Sequence, residues 1–308
     1  MRLRLALLAM LPVITLAACG TSTSSSEAGP TRTVKHAMGE TSVPMEPKRV
    51  VVLDTDKLDS MVSLGITPVG GVVATENEPF PAYLGTALST TKNVGTIAQP
   101  NLEAIAALKP DLILGSKFRQ EALYQKLSQI APTVYTERVG ITWKENFLLD
   151  AEAVGKKDQA QQLLSAYEAR AKETGSKLSD IKVSIVRFRP TEIRVYGPDS
   201  FSGIVLGDAG IARPEAQLLA DKEDKRFTAI SQENISTADG DALFYTAFGD
   251  AAAKSQAEVT AGPLWKNLSA VKEGHAFGVD DEIWMTGIGV TAAGKILDDL
   301  TKYLTPLV

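Results

Sequence analysis

NLEAIAALKPDLILG, residues 101–115, holds a helix and the start of a strand in fifteen positions. Asn101 suits a helix N-cap, because its side-chain oxygen can accept from an orphan N–H of the first turn. Glu103 places negative charge beside the positive end of the helix dipole. Pro110 cannot continue the helix, and Asp111–Leu114 follows as a run of strand length. The same grammar returns in SQENISTADGDALFY, residues 231–245. Glu233 matches Glu103 and Asp241 matches Asp111, both at an offset of 130. Two matches in the same order predict two similar lobes.

Outward from this stretch, PKRVVVLD (47–54) is a β-branched run of the kind buried on both faces of a parallel sheet. Leu58, Met61, Val62 and Leu64 then keep helical spacing up to Gly65, and ITPVGGVV (66–73) is a second strand. TVKHAMGETSVP (33–44) reads as a hairpin turning at Met38-Gly39. After the midpoint, residues 156–180 are polar except for a stripe through Ala160, Leu163, Leu164, Tyr167 and Ala171, the pattern of a long one-sided helix. KVSIVRF (182–188) is again a strand, and GIVLGDAGIARP (203–214) echoes SMVSLGITPVG (60–70). The expected fold is α/β: two doubly wound lobes, 33–155 and 181–308, bridged by a helix over 156–180.

The first 32 residues follow a different logic. Arg2 and Arg4 precede an apolar run from Leu5 to Leu16, too short to span a bilayer. Residues 1–18 therefore read as a signal peptide. The chain has a single cysteine, Cys19, directly after Leu16-Ala17-Ala18. This L-A-A-C resembles the bacterial lipobox, in which the cysteine is lipidated and becomes the first residue; the alternative is an ordinary secretory signal with an incidental Cys. Residues 19–32, rich in Ser, Thr and Gly, suit a flexible tether. A net charge of −5 argues against a nucleic-acid partner, and no second long apolar run follows.

PKRVVVLD, NLEAIAALKPDLILG, LSQIAPTVY (127–135) and WMTGIGVTAAGKILDDL (284–300) together resemble the iron-siderophore and cobalamin class of ABC-transporter solute-binding proteins, over almost all of the chain from Thr33. The resemblance implies two lobes joined by one rigid helix, a shallow cleft and little movement on binding. It also implies a monomeric receptor, lipid-anchored on the outer face of the cytoplasmic membrane, that delivers a ferric siderophore to a dimeric permease with its cytoplasmic ATPase. Haem or cobalamin would be an alternative ligand. Acidic residues at Glu103 and Glu233 would meet the two permease subunits. A hexadentate siderophore already fills the iron's coordination shell, so the protein needs no cofactor and no metal ligands of its own.

For the cleft, Arg187 and Arg189 share one face near the carboxyl end of a strand, where open α/β sheets bind ligands. Their guanidinium forks suit the anionic oxygens of a chelate. Lys117 and Arg119 follow the first-lobe strand and can face them. Thr96 offers a hydroxyl on a neighbouring loop. Trp143, Trp284 and Met285 stand where loops turn into helices, and an aromatic there can stack on a chelate; Trp265 is assigned to packing instead. Tyr196, Ser200, Phe201 and Tyr245 complete the candidates. Gly287, Gly289 and Ala292 fit G-x-G-x-x-A, but too little chain follows for a dinucleotide βαβ unit. His36 and His275 lack spaced acid–base partners, and G-x-S-x-G is absent, which leaves a surface enzyme such as a chelate reductase or esterase as the weaker reading.

Overall fold

The computed structural model describes residues 29–76, 78–178 and 181–308; Cys19 and the signal segment lie outside them. Strands β1 (Thr31–His36) and β2 (Gly39–Pro44) form the hairpin, with Gly39 at φ 118, a conformation that needs no Cβ. Thr31 and Arg32 pair with Pro44 and Val43, so the strand takes in two residues assigned above to the tether.

The first lobe runs through β3 (Val50–Val52), α1 (Thr55–Ser63), β4 (Gly70–Val73), β5 (Lys92–Thr96), α2 (Leu102–Ala107), β6 (Leu112–Ser116), α3 (Lys117–Gln120), α4 (Tyr124–Ser128) and β7 (Thr133–Thr136). Its sheet is wholly parallel in the order β5-β4-β3-β6-β7. The β-branched run works as expected: Val50 and Val52 enter one core cluster, Val51 and Leu53 the one on the opposite face. The strand order reverses between β3 and β6, and a crevice opens at such a switch point outside the carboxyl ends.

Helices α5 (Trp143–Ala153) and α6 (Lys157–Ser176) lead into the second lobe. Its elements are β8 (Val183–Phe188), β9 (Ile193–Tyr196), α7 (Phe201–Asp208), β10 (Phe227–Ile230), β11 (Ala242–Ala247), α8 (Gly249–Ala261), α9 (Pro263–Lys266), α10 (Ser269–Lys272), β12 (Ala276–Gly278) and α11 (Val290–Leu304). The sheet order is β10-β9-β8-β11-β12. β8, β11 and β12 are parallel, but β9 is antiparallel to both its neighbours, so this sheet is mixed. The reason is local. Arg189 N bonds Glu192 O at 2.9 Å, closing a turn far too short for a parallel crossover.

The internal echo has a structural cause. Asp111 accepts from the backbone N–H of Lys48 (2.8 Å) and Arg49 (2.9 Å), tying β6 to the start of β3. Asp241 does the same for β11 and β8, accepting from Lys182 N at 2.8 Å.

One apolar cluster joins the lobes. It runs from Leu58 and Met61 through Trp143, Phe147, Leu164 and Tyr167 to Ile185, Phe244, Ile296 and Leu300. At its edge lies buried Asp59, which accepts from Thr291 N and Ala292 N (both 3.0 Å) and from Tyr83 Oη (2.9 Å). The first turn of α11 is thereby held to α1, and a Cβ on Gly289 would collide with the Asp59 carboxylate. The glycine motif is a helix start pressed against an acid. Asp59→Ala strands two helix N–H donors, and we expect a loss of about 3 kcal/mol, read as a lower urea midpoint at unchanged slope. An unmoved midpoint would remove Asp59 from the account.

Candidate functional site

A cavity of about 660 Å³ lies between the lobes, within the usual size of ligand sites. The first lobe supplies Thr55 from α1 with Phe118 and Arg119 from α3, at the carboxyl ends of β3 and β6. The second supplies Arg187, Arg189 and Phe248, from the ends of β8 and β11. Met285, Thr286 and Ile288, just before α11, line it as well. Ile288 holds φ at 37, an uncommon conformation for a β-branched residue. Its neighbours hold it: Thr55 Oγ1 donates to Thr286 O (2.5 Å), and the Tyr83 hydroxyl shares its one proton between Asp59 and Gly287 O (3.1 Å).

The two second-lobe arginines project from the same face of β8 as Val183 and Ile185, continuing that row beyond the apolar core. Arg187 donates from Nε (2.7 Å) and Nη2 (2.5 Å) to the two carboxylate oxygens of Asp281, and Thr246 Oγ1 donates to Asp281 as well (2.6 Å). Burial opposes the Arg187 charge, but the Asp281 carboxylate outweighs it and raises its pKa. The Phe248 ring lies within cation–π range of both guanidinium groups, 4.6 Å from Arg187 and 4.5 Å from Arg189. Across the cleft, Arg119 Nε donates to buried Asp54 (3.2 Å), the N-cap of α1.

Several expected residues lie elsewhere. Trp143 is 2% exposed and packs edge-on against Tyr167 and Phe201, so it and Phe201 are core. Trp284 is fully buried, stacked on Phe244 at 4.6 Å with its indole N–H donated to Asp299 (2.8 Å). An indole flanked by apolar neighbours is withdrawn into the core rather than left at the rim. Ser200 is an N-cap, accepting from Gly203 N (3.0 Å) and donating to Gly197 O (2.7 Å). Tyr196 is buried on β9 beside Phe227. Tyr245 points to the opposite face of β11 from Phe244, onto Trp265. Lys117 is turned away to Glu137 (3.1 Å), and Thr96 accepts from Gln99 N (3.1 Å) in a side pocket on its own loop. Arg119, Arg187, Arg189 and Met285 are the expected residues that converge.

Sequence reading missed the two cleft phenylalanines, Phe118 (55% exposed) and Phe248. The signal was present. Phe118 and Phe248 stand at the offset of 130 that relates the two glutamates and the two aspartates.

A two-lobed α/β scaffold with a pre-formed, arginine-lined cleft at the strand ends defines a solute-binding protein. The chain belongs to the periplasmic binding protein family, whose model matches residues 50–283. It is 42% identical to the probable siderophore-binding lipoprotein YfiY of Bacillus subtilis (strain 168), over 96% of this chain and 95% of the relative. Against the Fe(3+)-citrate-binding protein YfmC of the same organism the identity is 31%, over 90% and 87%. Staphylococcus aureus SirA complexed with staphyloferrin B superposes with a TM-score of 0.80 at 35% identity, covering 89% of this chain and 98% of that one.

The buried carboxylates behind the cleft also carry a pH signature. Burial raises Asp54 to about 6 with help from Asp56, raises Asp59 to about 6, and raises Asp150 to about 7. Acids with folded pKa values above their unfolded ones stabilise the fold fully below about pH 4, and that contribution is lost as pH rises through 6 to 7. Half-buried His36, lowered by burial, acts in the opposite sense but is one group against three. The melting temperature should therefore be higher near pH 5 than near pH 8. A melting temperature that rises across this range would refute the assignment.

Proposed function

We propose that this protein is a lipid-anchored extracytoplasmic receptor that binds a ferric siderophore between its lobes and passes it to an ABC import permease. The observation that carries the reading is the convergence of Arg119, Arg187 and Arg189 with Phe118 and Phe248 on one cavity. A siderophore surrounds Fe(III) with its own oxygens, so the receptor has to recognise an anionic, partly apolar shell. Guanidinium forks donate to such oxygens, and aromatic rings pack on the ligand frame. The relatives named above point the same way.

The finer parts of the reading concern the membrane and the permease. Cys19 after the L-A-A triplet supports lipidation, and YfiY is itself a lipoprotein by name. Among the described residues, no helix is long and apolar enough to cross a membrane. Glu103 and Glu233 are exposed, each in the first turn of a helical segment that follows a strand's carboxyl end, on the cleft side of its lobe. That placement supports symmetric docking of basic permease residues.

Isothermal titration of the soluble body, lacking residues 1–28, with ferric siderophores tests the main reading. Replacing Arg187 and Arg189 together by Ala should weaken binding about tenfold or more, since charge-assisted hydrogen bonds contribute roughly 1.5–3 kcal/mol each. Affinity within a factor of about two, with an intact fold, would place the site elsewhere. In cells, Glu103→Ala with Glu233→Ala should abolish iron uptake without changing affinity, and Cys19→Ala should shed the protein from the membrane fraction. Normal uptake or undiminished retention would count against docking and lipidation respectively.

A further inference from the structure

The three cleft guanidinium groups differ in what already neutralises them. Arg187 is 7% exposed, and its Nε and Nη2 are both occupied by Asp281. Arg119 bonds through Nε to Asp54, whose side chain is wholly buried. Arg189 is half-buried, and no carboxylate lies within ion-pair distance of it among the described residues. Burial, then the charges of Arg187 and Arg194, lower its pKa against smaller opposing effects of Tyr196 and Asp281. Among the described residues, no Asp, Glu or Lys lines the cavity.

We propose that Arg189, the one cleft guanidinium without a carboxylate partner among the described residues, is the charge the ligand balances, that Arg187 is a positioning residue held by Asp281 and stacked on Phe248, and that the cleft therefore selects ferric chelates carrying a single net negative charge. This rests on the siderophore reading above. Two hydroxamates contribute one negative charge each, and an α-hydroxycarboxylate deprotonated at both oxygens contributes two. Around Fe(III), that set leaves one negative charge. Three hydroxamates leave none, so their oxygens can accept from Arg189 but its charge would stay unbalanced in a partly desolvated site. Three catecholates leave three, two of which would meet guanidinium groups already bonded to carboxylates. The Phe248 ring supports the division of roles. It orients two planar cations side by side, and of these only Arg187 commits its fork to a carboxylate.

The test titrates the soluble body with three probes at physiological salt: a ferric citrate-bis-hydroxamate, a ferric tris-hydroxamate and a ferric tris-catecholate. Wild type should bind the first tightest. Arg189→Gln should weaken that probe about tenfold or more, leave the neutral one within about threefold, and so erase the preference. Arg189→Lys should restore part of it. Arg187→Gln combined with Asp281→Asn removes a compensated pair, and should weaken all three probes alike without changing their order. Tightest binding of the neutral or the trianionic probe would overturn the inference and leave the siderophore reading in place. An unchanged order in Arg189→Gln, with circular dichroism showing an intact fold, would do the same. Binding of none of the probes by wild type would overturn both.

Discussion

The buried carboxylate of Asp59 is the constraint on which the cleft depends. It sits in the first lobe and satisfies two N–H groups at the start of the C-terminal helix, a place where helices otherwise leave donors unmet. The segment before that helix forms part of the cavity wall, so fixing the helix fixes Met285, Thr286 and Ile288 as well. Glu282 accepts from Ala82 N at 2.7 Å, and Thr55 reaches Thr286. A rigid-body opening of the lobes would break these bonds together with the apolar seam behind them. The carboxylate, desolvated on every side, is held at a raised pKa by that same burial.

Charge within the cleft is arranged in the same economical way. Each lobe presents a phenylalanine just beyond the carboxyl end of a central strand and sets arginines beside it. Carboxylates behind the wall, Asp54 and Asp281, orient two of the guanidinium groups from the side away from the cavity. In a partly desolvated space such pairs are strongly directional, because an isolated guanidinium there would be costly. The result is a rigid donor surface, ready before any ligand arrives, which lowers the ordering entropy lost on binding.

Much of this was legible in residue order. The offset of 130 relates Glu103 to Glu233 and Asp111 to Asp241, and the two aspartates turn out to perform one task, tying paired strands together. Arg187 and Arg189 were found by strand periodicity alone, because alternation dictates which side chains share a face. The tryptophans were misplaced for an equally physical reason. Trp143 opens α5 and Trp284 lies in the turn before α11, and whether such a ring meets solvent or core depends on what packs over it. Tyr167, Phe201 and Phe244 cover them, from positions up to 58 residues away in the chain.

The sequence by itself determined the α/β class, the two lobes, the helix between them and the strand-end arginines, all of which follow from periodicity, caps and breakers acting over a few residues. Tertiary structure decided which cations are neutralised, which aromatics line the cleft and why the second sheet is mixed. Those outcomes rest on contacts such as Arg187 with Asp281, 94 residues apart, and Asp59 with Ala292, 233 apart. No local pattern encodes such partners, because pairing energy depends on distance and burial in the folded chain.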